Sequence, residues 1–235
     1  GIAIARGEYI AFLDADDLIS PQKINLQLTA LKETKADICL VNTKYFDTDN
    51  PKKLYSNLER SMASTPNVLN GSGYEMLLAF VQKNQTVIQS PLARNAIFKE
   101  NLFPVEMAYL EDWDFWFRCA LNNCTFCYFD HPEATAFVRM HPKSATQQQN
   151  RIIESEAKLR ANIDYYLTQS SLNLEQINAL KKLNDSLLIN TFKYLIAKTP
   201  LYHIKKIASY YQSISKKSIF YAAFFKAINL KRKRR

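Results

Sequence analysis

The sequence predicts an α/β protein that is followed by a helical module. Residues 8–13 form an apolar run that ends in acidic residues, a pattern typical of a strand buried on both faces of a parallel sheet. Residues 20–34 carry an apolar stripe at helical spacing, and residues 38–41 form a second apolar run. A strand, a helix and a strand in this order indicate a βαβ unit with a right-handed crossover.

The rest of the chain continues through loops and short elements into helices. Residues 46–70 are polar and rich in Asn, Ser and Pro, which predicts a loop. Helices are predicted at 72–82 and 113–121, and extended segments near 86–92, 126–129 and 135–140. From residue 149 onward the pattern is helical, with breaks at Ser170–Ser171 and Thr199–Pro200.

Two domains are therefore expected, an α/β domain over residues 1–148 and a helical module over residues 149–235. The chain starts without methionine and reaches its first strand within eight residues. A buried parallel strand needs neighbours on its edges, and a doubly wound sheet usually takes them from preceding βαβ units. We therefore expect that N-terminal strands of the sheet are missing from this chain.

The composition indicates a folded protein with an uneven charge. Of its 235 residues 47% are hydrophobic, and no apolar run reaches the length of about 20 that crosses a bilayer. Arg6 and Glu8 interrupt the first apolar residues, unlike a signal peptide, so we expect a cytoplasmic location, or a peripheral one on the inner face of the membrane. Residues 201–235 hold ten of the 31 Lys and Arg and no Asp or Glu, which accounts for the net charge of +9. The four cysteines lack regular spacing and are expected to be buried thiols.

Asp14 and Asp16 follow the first predicted strand. Carboxylates at the carboxyl end of a parallel strand lie in the crevice where α/β sheets bind ligands, and two of them can bind Mg²⁺ or Mn²⁺. A metal there would bridge the diphosphate of a nucleotide and act as a Lewis acid. The alternative is a solvated acidic turn, in which Asp17 or a neighbour caps the following segment.

A second acidic cluster, Glu111, Asp112 and Asp114, stands at the start of an aromatic helix. One interpretation is favourable charge at a helix N-terminus. The other is catalytic, because a carboxylate held beside apolar rings is one way to tune a general base.

Arg139 and His141 close the last predicted strand. Alternation along a strand puts both side chains on the same face, which could meet a diphosphate or a metal. The alternative is a structural histidine at a strand end.

Together these motifs resemble family 2 glycosyltransferases, which have the GT-A fold. The resemblance rests on residues 5–17 (ARGEYIAFLDADD) with Pro21, on residues 110–118 (LEDWDFWFR) and on residues 139–141 (RMH). It covers roughly residues 1–145, and the combination is more specific than any one motif. It implies a Rossmann-like mixed sheet flanked by helices. Such enzymes begin with a strand and a helix that hold the nucleoside, and we expect this part to be missing from the chain.

The resemblance also implies an inverting transfer, in which an acceptor hydroxyl attacks the anomeric carbon and the nucleoside diphosphate leaves on the opposite side. Asp112 matches the catalytic base, with Glu111 beside it contacting acceptor or donor. The implied ligands of a divalent metal, Mn²⁺ or Mg²⁺, are Asp14, Asp16 and His141. The implied residues for the nucleotide-sugar donor are Asp14, Asp16, Asp17 and Arg139. The segment 89–94 is similar to the strand that lines the acceptor side.

The C-terminal module ends in residues 218–230, followed by the basic cluster 231–235; residues 218–230 include Phe220, Tyr221, Phe224, Phe225, Ile228 and Leu230. An aromatic helix before a basic cluster suits the interface of an anionic membrane, where it would meet a lipid-linked acceptor. The alternative is a docked core helix with a solvated tail. Nucleic acid is not expected as a partner, because no recognised binding motif accompanies the charge.

The leading hypothesis is therefore a transferase of bacterial cell-surface polysaccharide or lipopolysaccharide synthesis, acting on a glycan or a lipid-linked acceptor. One rival is a phosphohydrolase of the haloacid dehalogenase type, whose site also opens with an apolar strand and two aspartates. Asp17 and Leu18 stand where that pattern expects Gly and Thr. The other rival is a non-catalytic, membrane-associated binding module.

Overall fold

The computed structural model describes residues 1–62, 69–142, 144, 149–198 and 221–228. The chain divides into two compact units. The first comprises Gly1–Pro104 and Phe115–Gln147, and the second Val105–Asp114 and Gln148–Arg235. The predicted boundary at residue 148 remains a prediction, and the second unit additionally includes the short segment before the aromatic helix.

A mixed sheet forms the centre of the first unit, as the family resemblance implied. Its strands lie in the order β1 (Tyr9–Ala11), β6 (Leu92–Arg94), β3 (Ile38–Val41) and β7 (Phe126–Phe129). Strands β3 and β7 pair in parallel, whereas β6 is antiparallel to both β1 and β3. Strand β3 is fully buried, because helices or neighbouring strands cover all four residues.

The first strand corrects the sequence interpretation. Strand β1 has three residues, none of them fully buried, and its described partner is the antiparallel strand β6. The apolar run 8–13 predicted a strand buried on both faces of a parallel sheet. Composition could not reveal that β6, which lies far along the chain, inserts between the two parallel strands of the βαβ unit.

A second sheet lies beside the acidic motif. Its strands are ordered β2 (Leu18–Ile19), β8 (Ala136–Met140), β4 (Thr43–Asp47) and β5 (Asn50–Tyr55). The loop predicted from residue 46 was wrong over its first part, because β4 and β5 form a hairpin there. Strand β5 is mostly exposed and polar, so it carries no apolar alternation that a sequence pattern could detect.

Four helices belong wholly or partly to the first unit. They are α1 (Lys23–Thr34), α2 (Tyr74–Gln82), α3 (Asn95–Glu100) and α4 (Glu111–Leu121). The predicted stripe of α1 is confirmed, since Leu31, Ile24 and Leu28 pack on the apolar cluster around Cys39 and Leu92. A single 3-10 turn, Ile2–Ile4, precedes the first strand.

Aromatic rings fill the space beneath α4. Phe115 stacks on Phe98 and Phe103, at ring-centroid distances of 5.1 and 4.4 Å, and meets Trp116 edge to face. Phe12, directly after β1, contacts both Phe98 and Phe103. The aromatic face predicted for this helix is therefore core packing, and it also fixes the chain just before Asp14.

Two long helices and one short helix make up most of the second unit. Helix α5 (Gln149–Thr168) and helix α6 (Leu174–Lys198) confirm the predicted break at Ser170–Ser171, while the break at Thr199–Pro200 lies outside the described residues. Residues 221–228 are helical, and Ala223 and Ala227 are buried against both long helices. Among the described helices, none is long and apolar enough to span a bilayer. Each of the four cysteines is a free thiol.

Candidate functional site

The acidic motif occupies a loop that crosses from one sheet to the other. Strand β1 ends at Ala11 in the first sheet, and the chain re-enters regular structure at Leu18, which pairs with Phe137 of β8. This pairing brings the loop alongside the end of β8, where Arg139 and His141 lie. The residues of two distant motifs meet here because β2, although only two residues long, is in register with β8.

Asp16 and His141 form the exposed part of this cluster. The His141 Nε2 atom lies 3.0 Å from Asp16 Oδ2, and the two side chains are 29% and 51% exposed. The backbone of His141 is held in turn by Ser144, whose hydroxyl oxygen accepts from the His141 N–H at 3.0 Å. A carboxylate and an imidazole in contact at a surface can share a proton or bind one cation.

Asp14 and Asp17 share one buried donor, the side-chain amide of Gln89. The Gln89 Nε2 atom donates to Asp14 Oδ2 at 2.8 Å and also to Asp17 Oδ2. Gln89 is only 3% exposed, and both of its N–H groups are used in these two bonds. The amide therefore lies between two carboxylates that would otherwise repel each other.

Asp17 is the buried member of the motif. It is 8% exposed, and its Oδ1 atom accepts from the backbone N–H of Arg139 at 2.7 Å. Its pKa is raised to about 6. Burial is the largest cause, the charges of Asp16 and Asp14 add to it, and the Arg139 backbone bond acts in the opposite direction. Its contacts tie the loop to β8 and to the Gln89 segment.

A buried chain of polar contacts holds Gln89 in place. The next residue, Ser90, exchanges bonds with the backbone of Val41, accepting at 3.0 Å and donating at 2.7 Å. Gln27 of α1 donates to the carbonyls of Ser90 and Cys39, and accepts from the ammonium of the buried Lys23 at 2.8 Å. Desolvation lowers the pKa of Lys23 to about 8. The amide that contacts the acidic loop is thus anchored to β3 and α1.

Arg139 makes a structural contact with the loop. Its Nε atom donates to the backbone carbonyl of Asp16 at 2.7 Å, and its guanidinium lies 5.1 Å from the centre of the Phe46 ring. The side chain is partly exposed, so its remaining N–H groups stay close to the surface where a phosphate could approach.

The residues present fit a divalent cation with two protein donors. Over the described parts of the chain, no group of three or more His, Cys, Asp or Glu side chains is arranged to bind a metal. Asp16 and His141 are in direct contact, whereas the contact of Asp14 is with Gln89. Mg²⁺ commonly binds through one or two protein side chains and completes its shell with substrate phosphates and water. Of the three predicted metal ligands, Asp16 and His141 are in contact with each other. Asp14 lies two residues before Asp16 in the sequence and contacts Gln89 instead.

The second acidic cluster belongs to the second compact unit. Leu110 has a φ of 61°, a left-handed conformation that is uncommon for leucine, and its carbonyl accepts from the Asp114 N–H at 3.1 Å. Glu111 and Asp112 are half-buried in the first turn of α4, and Asp112 Oδ1 accepts from the Trp113 N–H at 2.7 Å. Asp114 is fully buried.

Residues 1–102 of this chain match the model of the protein family described as Glycosyl transferase family 2. This part contains the acidic loop and Gln89. The match assigns residues 1–102 to this family. The resemblance to family 2 glycosyltransferases is therefore confirmed, and of the three motifs that carry it residues 5–17 lie inside the matched part.

Two curated relatives extend the match beyond the family domain. An uncharacterized glycosyltransferase of Methanocaldococcus jannaschii is 27% identical over 125 residues, which are 53% of this chain and 40% of that protein. An uncharacterized glycosyltransferase of Haemophilus influenzae is 27% identical over 191 residues, 78% of this chain and 56% of that protein. The chain thus spans about half the length of these relatives.

Solved structures confirm the GT-A fold. The crystal structure of S. aureus TarS 1-349 has a TM-score of 0.64 at 15% identity, and the match covers 97% of this chain and 65% of that one. The same fragment in complex with UDP-GlcNAc has a TM-score of 0.60 at 15% identity, with 97% and 66% covered. At this identity the likeness establishes the fold alone.

Sequence reasoning missed the residues that hold the two motifs in place. The sequence indicates Gln89 only as part of a segment similar to an acceptor strand, and it gives Gln27 no role beyond its place in a helix. Asn162 and Tyr166 of α5 contact Asp114. They lie in the C-terminal module, for which the sequence indicates a function only at the basic end. A single amide or hydroxyl in a helical pattern gives no local signal, because its role depends on a partner distant in sequence.

Proposed function

We propose that this chain catalyses the inverting transfer of a sugar from a nucleoside diphosphate sugar to an acceptor hydroxyl. The observation that carries the proposal is the exposed contact between Asp16 and His141, next to Asp14, at the strand ends of a family 2 domain. Ligands of α/β sheets bind at such strand ends. The complex of TarS with UDP-GlcNAc, which has the same fold, supports a nucleotide sugar as the donor.

A divalent cation, Mn²⁺ or Mg²⁺, would be held by Asp16 and His141, with Asp14 alongside. When bound, it would neutralise the charge that develops on the departing diphosphate. Arg139 adds a positive side chain to the same edge and supports binding of phosphate oxygens. Asp17 is assigned to positioning the loop, because its carboxylate is buried against the Arg139 N–H and Gln89.

Asp112 is the proposed general base. In this assignment it accepts the proton of the acceptor hydroxyl as that oxygen attacks the anomeric carbon, and the nucleoside diphosphate departs on the opposite side. Its carboxylate is only half-buried beside Trp113, so an acceptor hydroxyl can come within hydrogen-bond reach of it, which supports the role. Glu111, the preceding residue, is proposed to contact the acceptor or the donor.

Turnover of nucleoside diphosphate sugars tests the proposal. UDP-GlcNAc is the first probe, followed by other UDP, GDP and dTDP sugars, each with MnCl₂ and with release of the nucleoside diphosphate as the readout. We expect slow donor hydrolysis that needs the metal. Asp16→Asn should lower this rate by roughly 100-fold, while the matched change Asp49→Asn, at an exposed hairpin residue, should leave it unchanged.

Asp112→Asn separates chemistry from binding. This variant should lose transfer while it keeps Mn²⁺-dependent binding of the nucleotide, because the side chain is proposed to act on the acceptor proton only. Undiminished transfer by Asp112→Asn would remove the base role. A chain that neither turns over any of the sugars nor binds UDP in the presence of Mn²⁺ would contradict the whole proposal.

The phosphohydrolase rival is tested in the same preparation. Family membership and the contact of His141 with Asp16 favour the transferase, since the phosphohydrolase pattern accounts for neither. Release of inorganic phosphate from p-nitrophenyl phosphate, abolished by Asp14→Asn, would reverse this preference.

The proposed biological setting is bacterial cell-surface polysaccharide or lipopolysaccharide synthesis at the inner face of the membrane, on a glycan or lipid-linked acceptor. The described part of the C-terminal segment supports both earlier interpretations. Ala223 and Ala227 are buried in the second unit, whereas Tyr221 and Phe225 are 54% and 64% exposed. The basic cluster 231–235 lies outside the described residues. Flotation with vesicles that contain phosphatidylglycerol, but not with pure phosphatidylcholine, is the expected result, and equal behaviour with both would contradict membrane binding.

A further inference from the structure

Helix α5 contacts the short segment that leads into the Glu111–Asp112 turn. The second compact unit combines Val105–Asp114 with the C-terminal helices. Asn162 of α5 reaches Met107 Sδ at 3.6 Å and Asp114 Oδ1 at 3.2 Å, so a single amide joins both ends of this segment. The C-terminal helices are thus packed against the proposed general-base turn.

Asp114 is the centre of this attachment. Its side chain is 0% exposed, and its carboxylate accepts from Asn162 Nδ2 and from the Tyr166 hydroxyl, each at 3.2 Å. Asn162 and Tyr166 are one helical turn apart and therefore lie on the same face of α5. A buried carboxylate is stable only when it is hydrogen-bonded, so the position of this turn is coupled to both partners.

Trp113 provides a second, independent attachment to the same helix. The Arg160 guanidinium lies 5.1 Å from the centre of the Trp113 ring and is itself 2% exposed. Arg160 is fixed by Glu156 at 3.0 Å and by Asn184 of α6, whose side chain donates to the Arg160 carbonyl at 2.7 Å. A buried cation stacked on an aromatic ring restricts the ring's rotation.

We propose that Asn162 and Tyr166 are positioning residues for the Glu111–Asp112 turn and act through Asp114. Two hydrogen bonds and one guanidinium from α5 hold the first turn of α4 at residues 113 and 114. The two residues that precede them in this turn keep half-exposed carboxylates. The C-terminal module therefore takes part in setting the geometry of the turn. The catalytic consequence rests on the proposed function, whereas the conformational consequence does not.

Two variants remove hydrogen bonds between α5 and Asp114, and one restores such a bond with donor and acceptor exchanged. Tyr166→Phe deletes a hydroxyl with little change in volume, and Asn162→Ala deletes the amide. The exchange Asp114→Asn with Asn162→Asp reverses donor and acceptor across the same contact. Tyr165→Phe is the matched control, because its side chain is the neighbouring tyrosine and is 63% exposed.

Tryptophan emission reports on the turn directly, since the only two tryptophans of the chain, Trp113 and Trp116, both lie in α4. Acrylamide quenching should increase in Tyr166→Phe and Asn162→Ala, return toward the original value in the exchange variant, and stay unchanged in Tyr165→Phe. Far-UV circular dichroism should be the same in all four. Unchanged quenching in the two single variants would overturn the proposal, whatever the activity.

Turnover with the best sugar of the panel, and with its acceptor once found, gives the catalytic readout. We expect kcat to fall roughly tenfold, the factor expected for a hydrogen bond to a charged group, with the donor KM changed less than twofold. An unchanged kcat, or an equal loss in the Tyr165→Phe control, would overturn the positioning role. If no sugar is turned over, the proposed function fails on its own, and the quenching comparison still decides whether α5 positions the turn. A variant that loses its circular dichroism is replaced by the exchange variant, whose restored or unrestored quenching decides in the same way.

Discussion

The chain has two acidic motifs, Asp14–Asp17 and Glu111–Asp114. In both, the last carboxylate is buried and the earlier ones are not, although the surroundings differ. In the first, the last carboxylate, Asp17, is buried and accepts from β8 and Gln89. In the second, the last carboxylate, Asp114, is buried and accepts from two residues of α5. The earlier acids of each motif remain exposed or half-exposed.

An acidic motif can therefore contain reactive carboxylates together with a buried carboxylate that holds the motif in place. The first motif is anchored to a sheet, and its anchor includes a backbone N–H, which cannot be changed by mutation. The second is anchored to a helix through the side chains of Asn162 and Tyr166. We therefore expect substitutions in the second anchor to lower the free energy of unfolding more than substitutions in the first.

Asp114→Ala should have the largest effect. It removes a fully buried carboxylate and leaves the Tyr166 hydroxyl and the Asn162 amide without their acceptor, which costs about 3 kcal/mol. Urea titration followed by tryptophan emission measures the change. The matched variant Asp112→Ala, at a half-buried residue of the same turn, should lose less than about 1 kcal/mol. Equal losses in the two variants would contradict the division into a reactive and an anchoring acid.

Asp17→Ala should come second, at about 2 kcal/mol. The Arg139 N–H loses a buried acceptor, but Gln89 keeps its bond to Asp14, and removing a carboxylate that is costly to bury offsets part of the loss. Asp16→Ala, whose side chain is 51% exposed, should stay within about 0.5 kcal/mol. A larger loss for Asp16→Ala than for Asp17→Ala would reverse the assignment within this motif.

Gln89→Leu should be third, at about 1–2 kcal/mol, because it preserves most of the volume but removes the donor shared by two carboxylates. Gln89→Glu should be worse than Gln89→Leu, since it adds a third negative charge at the same point. Thermal unfolding of the pair gives the comparison. If the glutamate variant unfolded at the higher temperature, Gln89 would not be separating the two carboxylates.

The sequence predicted the elements and motifs of this site better than the residues that hold these motifs in place. Strand β8 and the positions of Asp14, Asp16 and His141 follow from local patterns, and β2 and β8 then bring them together. The antiparallel strand β6 and the partners of Asp114 depend on pairings between distant segments. No local periodicity encodes such pairings, which explains why Gln89, Asn162 and Tyr166 were not identified in advance.

His141→Gln should have the smallest effect on stability, within about 0.5 kcal/mol, because the imidazole is largely at the surface and the Asp16 side chain that it contacts is itself exposed. Its effect on metal binding should nevertheless be large. Removing one of two protein donors should weaken Mn²⁺ binding in the presence of UDP by roughly tenfold or more, which isothermal titration measures. His131→Gln, at a turn outside the cluster, is the control and should bind Mn²⁺ as before. Unaltered Mn²⁺ binding in His141→Gln would leave the imidazole with the role of a hydrogen-bond partner of Asp16, and the exposed half of the first motif would then contain carboxylate ligands only.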